Sequence, residues 1–331
     1  MQAAGSGRTY RNEDFDVLLA LLDAASGPER SVTRTGLAWS LSAPGFDPAS
    51  DLFLVPDSDG TGLLGARDVR VTARGDEEEL ILESWGAVHP AAPHAETEAA
   101  LLGSALTRAR TLLAERGREK GILQARCGAG DAASRDAFAV AGLAYARDLV
   151  TMLRPSLDDV AAPRFPEGVV VRRYRSGDED AWVEAFNAAF AGHWGGFMGM
   201  SAARWAHERT EAAFDPEISL IAWDGDRIAG FCHCCINREL NELRGRRVGM
   251  IRYVGVAPAW RRQGLGAALT LAGLHALRDA GMASVALGVD AENVTGARRL
   301  YERYGFEVVG EQVMYRAAVV AASDPRREDP A

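Results

Sequence analysis

From residue 169 onward the apolar positions fall into short runs with a spacing of two, separated by longer stretches with a spacing of three and four. The first kind predicts strands and the second amphipathic helices. "VVVRRY" at 169–174 reads as a strand, and "DEDAWVEAFNAAFAGH" as a helix with Asp178 near its cap. "SAARWAHERTEAA" from Ser201 is a second helix, and "SLIAWDGDRIAGFCHCCI" is a hairpin turning at Gly225-Asp226. "GMIRYVGV" predicts a buried strand and "GLGAALTLAGLHALRDAG" a helix closed by Gly281. "ASVALGVD" is another buried strand, "NVTGARRLYERYG" a helix closed by Gly305, and "FEVVGEQVMYRA" supplies the final strands. The predicted order is β-α-α-β-β-β-α-β-α-β-β.

The first half repeats this pattern. "FDP" at 46–48 recurs at 214–216, and "AVHPAAP" lies against "GVAPAWR" at the same offset, which suggests a gap-free match of 46–88 with 214–256. "GLAY" at 142 falls against "GFEV" at 305, and "YRNED" at 10 resembles "YRSGDED" at 174. A period this long reads as domain duplication rather than a solenoid. Three prolines and no periodicity in "RPSLDDVAAPRFPEG" mark the joint. The expected division is a first domain at 1–157, a linker at 158–167, a second domain at 168–321 and a disordered tail at 322–331.

Composition narrows the function classes. A chain of 331 residues is long enough for two ordinary domains, each with its own core. No apolar run is long enough to span a bilayer, and "MQAAGSGRTY" lacks the apolar stretch of a signal peptide, so a cytoplasmic protein without membrane contact is expected. A net charge of −9 argues against a general grip on nucleic acid. Four cysteines make no disulfide framework in a chain of this size. All but one of the 37 basic residues are arginines, the exception being Lys120, which reads as coding bias.

One element carries chemistry. In "YVGVAPAWRRQGLGAAL" a strand ends at Val256, Pro258 breaks the ladder, and a helix begins around Leu265. Gly264 and Gly266 let backbone amides approach an anion, the helix's first turn offers unpaired N–H groups, and Arg261 and Arg262 add charge. That combination is a phosphate seat. A tight turn that needs glycine for its own sake is the plainer alternative.

On these residues, and on "VDAENVTGARRLYERYGF", the chain resembles the GNAT superfamily of N-acetyltransferases over residues 168–317. The tandem layout is similar to the double-GNAT group that includes the mycothiol synthases, in which the C-terminal copy is the active one. The resemblance implies an α/β (α+β) fold with two tandem GNAT-like domains, each a mixed, mostly antiparallel twisted sheet flanked by helices. It implies acetyl-CoA as co-substrate, no metal, and direct acetyl transfer to a primary amine, either a small molecule or a peptide N-terminus, in a ternary complex. Backbone groups of Val254 and Val256 would meet the pantetheine arm and thioester. Amides of Arg262, Gln263, Gly264, Leu265, Gly266 and Ala267 would hold the pyrophosphate beside Arg261. Asn293 would bond the pantetheine, although Tyr301 follows it by eight residues where seven is common. Tyr301 would hydrogen-bond the departing thiolate, and a plain core tyrosine is the alternative.

The general base is less legible. Family members place a glutamate on the strand leading to the cofactor, where mycothiol synthase has one at the position of Met250, and "GMIRYVGV" holds no carboxylate. Asp290 is the nearest acidic candidate, or else caps the next turn; Glu211, Glu239 and His193 are further candidates. An orphan base strand would also suit an acyl-CoA-binding or sensing module without turnover. "AGHWGGF" offers His193 and Trp194 as a substrate wall or a loop anchor. In "FCHCCIN" strand alternation sends Cys232 and Cys234 to one side and His233 and Cys235 to the other, which argues for core fillers over a metal site. Trp205 and Trp223 are expected in the core, and "GDEEE" at 75–79 at a solvated hairpin end. In the first copy Pro93, Glu96 and Glu98 stand against Arg261, Gly264 and Gly266, and Phe138 against Tyr301. Carboxylates at that helix start repel a pyrophosphate, so the first copy is expected to bind no coenzyme A and to wall the substrate cleft of the second. Duplication within one chain favours a monomer over a homodimer.

Overall fold

The computed structural model describes residues 7–27, 32–72, 79–191, 199–292 and 296–322. The chain forms two compact units, Met1–Arg147 with Gln312–Ala331, and Asp148–Glu311. These divisions differ from the expected joint at 158–167 because strand pairing, not chain order, decides them. Residues 155–168 contain no helix or strand, yet Leu157 is buried and Val160 and Phe165 pack onto the core of the second unit.

In the first unit the elements are β1 (Arg8–Thr9), α1 (Phe15–Ser26), α2 (Arg34–Leu41), α3 (Pro48–Asp51), β2 (Leu52–Pro56), β3 (Leu63–Asp68), β4 (Arg70–Thr72), β5 (Leu80–Ser84), β6 (Gly86–Val88), α4 (His94–Glu115), β7 (Lys120–Gly128), α5 (Ala132–Val140) and the start of β8 (Ala144–Arg154). β1, β2, β3 and β6 form an antiparallel sheet. β4 pairs antiparallel with β5, which pairs parallel with β7. The long helix α4 buries Leu101, Leu102, Ala105, Ala109, Leu112 and Leu113, a stripe at helical spacing.

The second unit continues with β9 (Val169–Arg173), α6 (Glu179–Phe190), α7 (Ala202–Glu208), β10 (Leu220–Asp224), β11 (Arg227–Cys235), α8 (Arg238–Arg244), β12 (Val248–Val256), α9 (Leu265–Asp279), β13 (Ser284–Asp290), α10 (Ala297–Arg303) and β14 (Glu307–Val320). Its sheet runs β9-β10-β11-β12-β13 and closes on residues 149–154 of β8. Every pairing is antiparallel except β12 with β13. The segment read as final strands is one continuous strand, and its residues 312–320 pair with β7 of the first unit's own sheet. Sequence periodicity shows that a run is a strand but not which sheet receives it. Helix α8 was not foreseen; seven residues bury no side chain fully and so show no periodic stripe.

The duplication is visible in local chemistry. Arg8 grips Asp14 with both terminal nitrogens (2.7 and 2.6 Å), and Arg172 grips Asp178 identically. In each case the carboxylate also accepts a backbone N–H, from Arg11 or Arg175. The gap-free match of 46–88 with 214–256, however, does not hold. Gly65 pairs with Val88 as Gly230 pairs with Val256, so Gly65 corresponds to Gly230, three residues off that register. The first copy makes up the difference with a longer β2–β3 turn.

Two cores sandwich the second sheet. Helix α9 covers one face, with Leu265, Leu269, Leu274 and Leu277 against Cys232, Cys234, Ile251, Val285 and Leu287. On the other, Trp182, Phe186 and Trp205 of α6 and α7 cover Ile221, Ile228 and Phe231, and the Trp182 and Trp205 rings stack 3.7 Å apart. Cys232 and Cys234 face α9 with their sulfurs 3.7 Å apart, while His233 lies among the aromatic rings, as strand alternation requires. Trp205 is buried as expected, and Trp223 is half-buried under the Arg172 guanidinium. Among the described residues no helix is long and apolar enough to cross a membrane. Residues 75–78 of the expected hairpin end and 323–331 of the expected tail lie outside the described residues.

Close approach of α9 to the sheet depends on missing side chains. A Cβ at Gly230 would lie 2.8 Å from the Gly255 carbonyl oxygen and 2.9 Å from Leu269, and one at Gly273 would lie 2.6 Å from the Cys232 sulfur. Gly230→Ala is therefore expected to destabilise the second unit by about 1–3 kcal/mol, the usual cost of overpacking. Urea unfolding monitored by tryptophan fluorescence measures it; an unchanged midpoint would show that the helix can retreat at no cost.

Candidate functional site

The site begins with an interruption in the sheet. β12 and β13 pair in parallel from Val248↔Ser284 to Ile251↔Leu287, and there the pairing stops. Beyond it β13 continues along β8 while β12 continues along β11. At the same point the β11–β12 register slips: His233 faces Tyr253 and Cys234 faces Ile251, leaving Arg252 as an extra residue. That is a β-bulge, which bends and twists the strand that carries it. The edge of β12 from 252 to 256 thus faces a gap, and the main-chain groups of Val254 and Val256 on that side lack a strand partner.

The loop at the end of β12 follows from the same strand. Pro258 opens a single 3-10 turn to Trp260, whose indole N–H donates to Asp224 at 3.0 Å. Arg262 then takes φ +62°, and Gly264 takes φ +80° as the residue before α9. Arg262 is the only residue other than glycine with positive φ among those described, a conformation that costs an L-residue roughly 1–2 kcal/mol. Alternation of left-handed and ordinary residues is the backbone pattern of anion-binding concavities, in which successive N–H groups turn toward one side. No side chain caps α9, so its first amides and its positive dipole end face the same seat.

The arginines divide the work. Arg261 is tied to backbone, donating to the carbonyls of Val256 (3.2 Å) and Ala189 (2.8 Å), so it braces the loop against β12 and α6. Arg262 is exposed and makes no side-chain hydrogen bond or ion pair among the described residues, leaving its charge available. Gln263 donates to the Ala259 carbonyl and stiffens the turn. Leu265 is buried against the core, and Gly266 leaves room beside Val256, whose methyl would lie 3.4 Å from an added Cβ. Ala267 lies in the same first turn.

Val254, Val256 and Tyr301 all pack onto the apolar cluster under α9, which brings the strand edge and α10 to one core. Tyr301 lies with its ring 5.7 Å from Phe306, and burial pushes its phenol up to about 12. Asp290 ends β13, buried, with Oδ1 accepting the Glu292 amide at 3.0 Å, the turn-capping contact. Glu239 is exposed on α8, and Met250 is 41% exposed on β12. His193, Trp194 and Asn293 lie outside the described residues.

On the aromatic face, the sequence reading missed the role of Arg252. Its guanidinium donates to Glu208 at 3.0 Å and to both oxygens of Glu211, one at 2.9 Å. A charged residue inside the otherwise apolar "MIRYVGV" was the signal. His233 beside it bonds Ser219 at 2.9 Å, and burial with the nearby Arg252 charge pushes its imidazole down to about 3, so it stays neutral.

In the first unit the matching place is filled. β5 and β7 run parallel only as far as Ser84↔Ala125, and β6 resumes beyond Trp85. Arg67, paired with Gly86 where Cys232 pairs with Val254, ion-pairs with Glu98 on α4, donates to Ser84 and lies over the Phe138 ring. Arg67 and Glu98 are 2% and 1% exposed, so Glu98 is an internal plug rather than an exposed carboxylate at the helix start. α4 begins at His94, so the loop that is open before α9 has become helix. His94 bonds Ser134 of α5 at 3.0 Å and closes the mouth further.

Residues 180–306 match the acetyltransferase (GNAT) family model. A mycothiol acetyltransferase of Streptomyces scabiei is 33% identical over 96% of this chain and 97% of its own length. One from Catenulispora acidiphila is 37% identical over 53% of this chain, a match that spans 55% of that relative's length. Among solved structures, a GCN5-related N-acetyltransferase from Sphaerobacter thermophilus covers 96% of both chains with a TM-score of 0.73 and 24% identity. A tandem GNAT protein from the clavulanic acid biosynthesis pathway covers 96% of this chain and 99% of its own, with a TM-score of 0.65 and 16% identity. Both show the tandem fold.

Two outcomes follow from this geometry. Glu98→Gln leaves the Arg67 charge buried without its partner and is expected to destabilise the first unit by about 3–5 kcal/mol, while opening no anion site; a loss below about 1 kcal/mol in denaturant unfolding would mean that the guanidinium finds other partners. Tyr301 binds its proton more tightly folded than unfolded, so its contribution to stability is complete below about pH 10 and disappears as pH rises through about 12. The unfolding free energy of wild type should therefore fall relative to that of Tyr301→Phe between those values; parallel curves would contradict the raised phenol.

Proposed function

The chain belongs to the acetyltransferase (GNAT) family, and from that premise we propose that its second unit binds acetyl-CoA and transfers the acetyl group directly to a primary amine in a ternary complex. The observation that carries the reading is the left-handed loop at Arg262 and Gly264, opening on the uncapped start of α9 beside the β12–β13 gap. Amides of residues 262–267 would take the diphosphate, with the Arg262 charge beside them. Main-chain groups of Val254 and Val256 would take the pantetheine arm, as a strand takes a neighbour, and Asn293 is assigned to the same arm.

In the reaction the amine nitrogen attacks the thioester carbon, the C–S bond breaks, the sulfur leaves with its electron pair and takes a proton, and the ammonium nitrogen loses one. Tyr301 serves as hydrogen-bond donor to the departing sulfur. A phenol near 12 facing a thiol near 8.5 makes full proton transfer uphill by about 5 kcal/mol, so the phenol keeps its proton. No carboxylate lies on β12, and Asp290 and Glu211 are both engaged in structural hydrogen bonds. Deprotonating an alkylammonium at pH 7 costs about 4–5 kcal/mol, whereas an α-amine needs only about 1. The acceptor class we favour is accordingly an amine of low pKa, and the amine acceptor of mycothiol chemistry, suggested by the relatives' name, is the first to assay. The first unit binds no coenzyme A in this reading, the chain works as a monomer, and its setting is the cytoplasm.

Titration calorimetry is expected to give one acetyl-CoA site per chain, lost in Arg261→Ala/Gly264→Glu with circular dichroism unchanged. Thiol release with a panel of amines should be faster for α-amines than for alkylamines. Two equivalent sites would overturn the assignment of the first unit, and tight binding with no turnover on any amine would move the protein to the acyl-CoA sensors.

A further inference from the structure

The position of Arg252 is unusual in three respects at once. It is the extra residue of the β11–β12 bulge, it stands where the parallel pairing of β12 with β13 ends, and its side chain leaves the sheet on the face away from α9 to meet two carboxylates. Glu208 is the last residue of α7 and Glu211 follows in the next turn. That segment is fixed in its own right. Trp205 of α7 stacks on Trp182 of α6 and donates its indole N–H to the Tyr174 hydroxyl, and Phe214 makes a single bridge with Cys235 on β11. Glu208 is held from the other side by Arg204 at 3.7 Å. A bidentate guanidinium–carboxylate pair fixes orientation as well as distance, and here it joins the bulge to a rigid buttress.

A bulge alone does not define a slot. Beyond the bulge the ladder of β12 runs only along β11, with the Val256 carbonyl also held by Arg261, and a strand laddered on one edge samples a range of positions. A ligand that must find those main-chain groups in one place loses affinity when binding has to order them. We infer that Arg252, clamped by Glu208 and Glu211, is a positioning residue that holds residues 252–256 of β12 in the bulged course, so that the gap toward β13 is preorganised for the acyl-CoA arm. This rests on the acetyl-CoA reading for its ligand, but the clamp itself can be tested without one.

Glu211→Gln keeps shape and volume and leaves the Glu208 contact, so it loosens the clamp with little risk to folding; Arg252→Lys keeps the charge but not the fork. In unliganded protein, amide hydrogen exchange at 252–256 should quicken at least about fivefold in Glu211→Gln, with the α9 amides unchanged. With acetyl-CoA, the Kd and the KM for acetyl-CoA should each rise about tenfold while kcat falls less than threefold, and Arg252→Lys should lie between wild type and Glu211→Gln. Exchange at 252–256 within twofold of wild type overturns the clamp, whether or not acetyl-CoA binds. Quickened exchange with no acetyl-CoA binding even by wild type upholds the clamp and overturns the acetyl-CoA reading. Quickened exchange with an unchanged Kd overturns its role in preorganising the slot. A kcat loss larger than the KM change would place Arg252 or Glu211 in the chemistry and overturn the positioning role.

Discussion

Main-chain hydrogen bonding at the point where β12 parts from β13 constrains the whole second unit. A strand pair in the middle of a sheet normally satisfies both edges, and each buried polar group left without a partner costs about 1–3 kcal/mol. Here the parallel ladder stops after Ile251 and Leu287, although both strands continue for several residues. Such a split survives only if each half is held elsewhere. β11 and β8 hold the outer edges, the leucines of α9 hold one face, and the ion pair of Arg252 with Glu208 and Glu211 holds the other. The exposed loop at Arg262 and Gly264 then starts from the end of a strand that already points away from its neighbour.

The first unit has the same break and the opposite outcome. Its parallel ladder also ends early, at Ser84 and Ala125. The space under the first turns of α4 holds the Arg67–Glu98 pair, closed over by Phe138, in place of glycine and a small cysteine. Burying two charges is costly and is tolerated when they are paired and further bonded, as Arg67 is to Ser84. Once such a pair is in place neither charge can be removed alone without leaving the other stranded. In this copy the pair acts as an internal strut in the place where the second unit has its gap, so the fold is held together with that space filled.

Much of this was legible in the sequence, for identifiable reasons. Strand and helix periods, the Gly225 turn, the start of α9 at Leu265 and the opposite sides taken by Cys232 and Cys234 and by His233 are local properties, and each is found where the pattern put it. The glycine loop was legible because positive φ has few chemical solutions, although nothing in "WRRQG" shows that Arg262 itself would take one of them. What escaped is non-local. The C-terminal strand looks the same on paper whichever sheet takes it, and the equal lengths of 46–88 and 214–256 concealed a longer turn offset by a later deletion. Glu98 read as a helix-start carboxylate because its partner Arg67 lies 31 residues upstream, and Arg252 read as an ordinary strand residue because its carboxylates come from the end of α7 and the turn after it, more than 40 residues away.

The same commitments that build the gap bear on what can react in it. Glu211 spends both oxygens on Arg252, and Asp290 gives Oδ1 to the turn after β13, so each carboxylate already has a structural partner. Tyr301, raised by burial, keeps its proton through the neutral range, and His233, pushed down to about 3, stays neutral there. A strand that carries Met250 where a base would be useful adds nothing to remove a proton. In the transfer proposed above, the described scaffold would supply position and a hydrogen bond to the leaving sulfur, with deprotonation left to the acceptor's own acidity. On that proposal selectivity among amines would have an electrostatic origin in addition to shape, because acceptors already partly neutral near pH 7 would lose the least on entering.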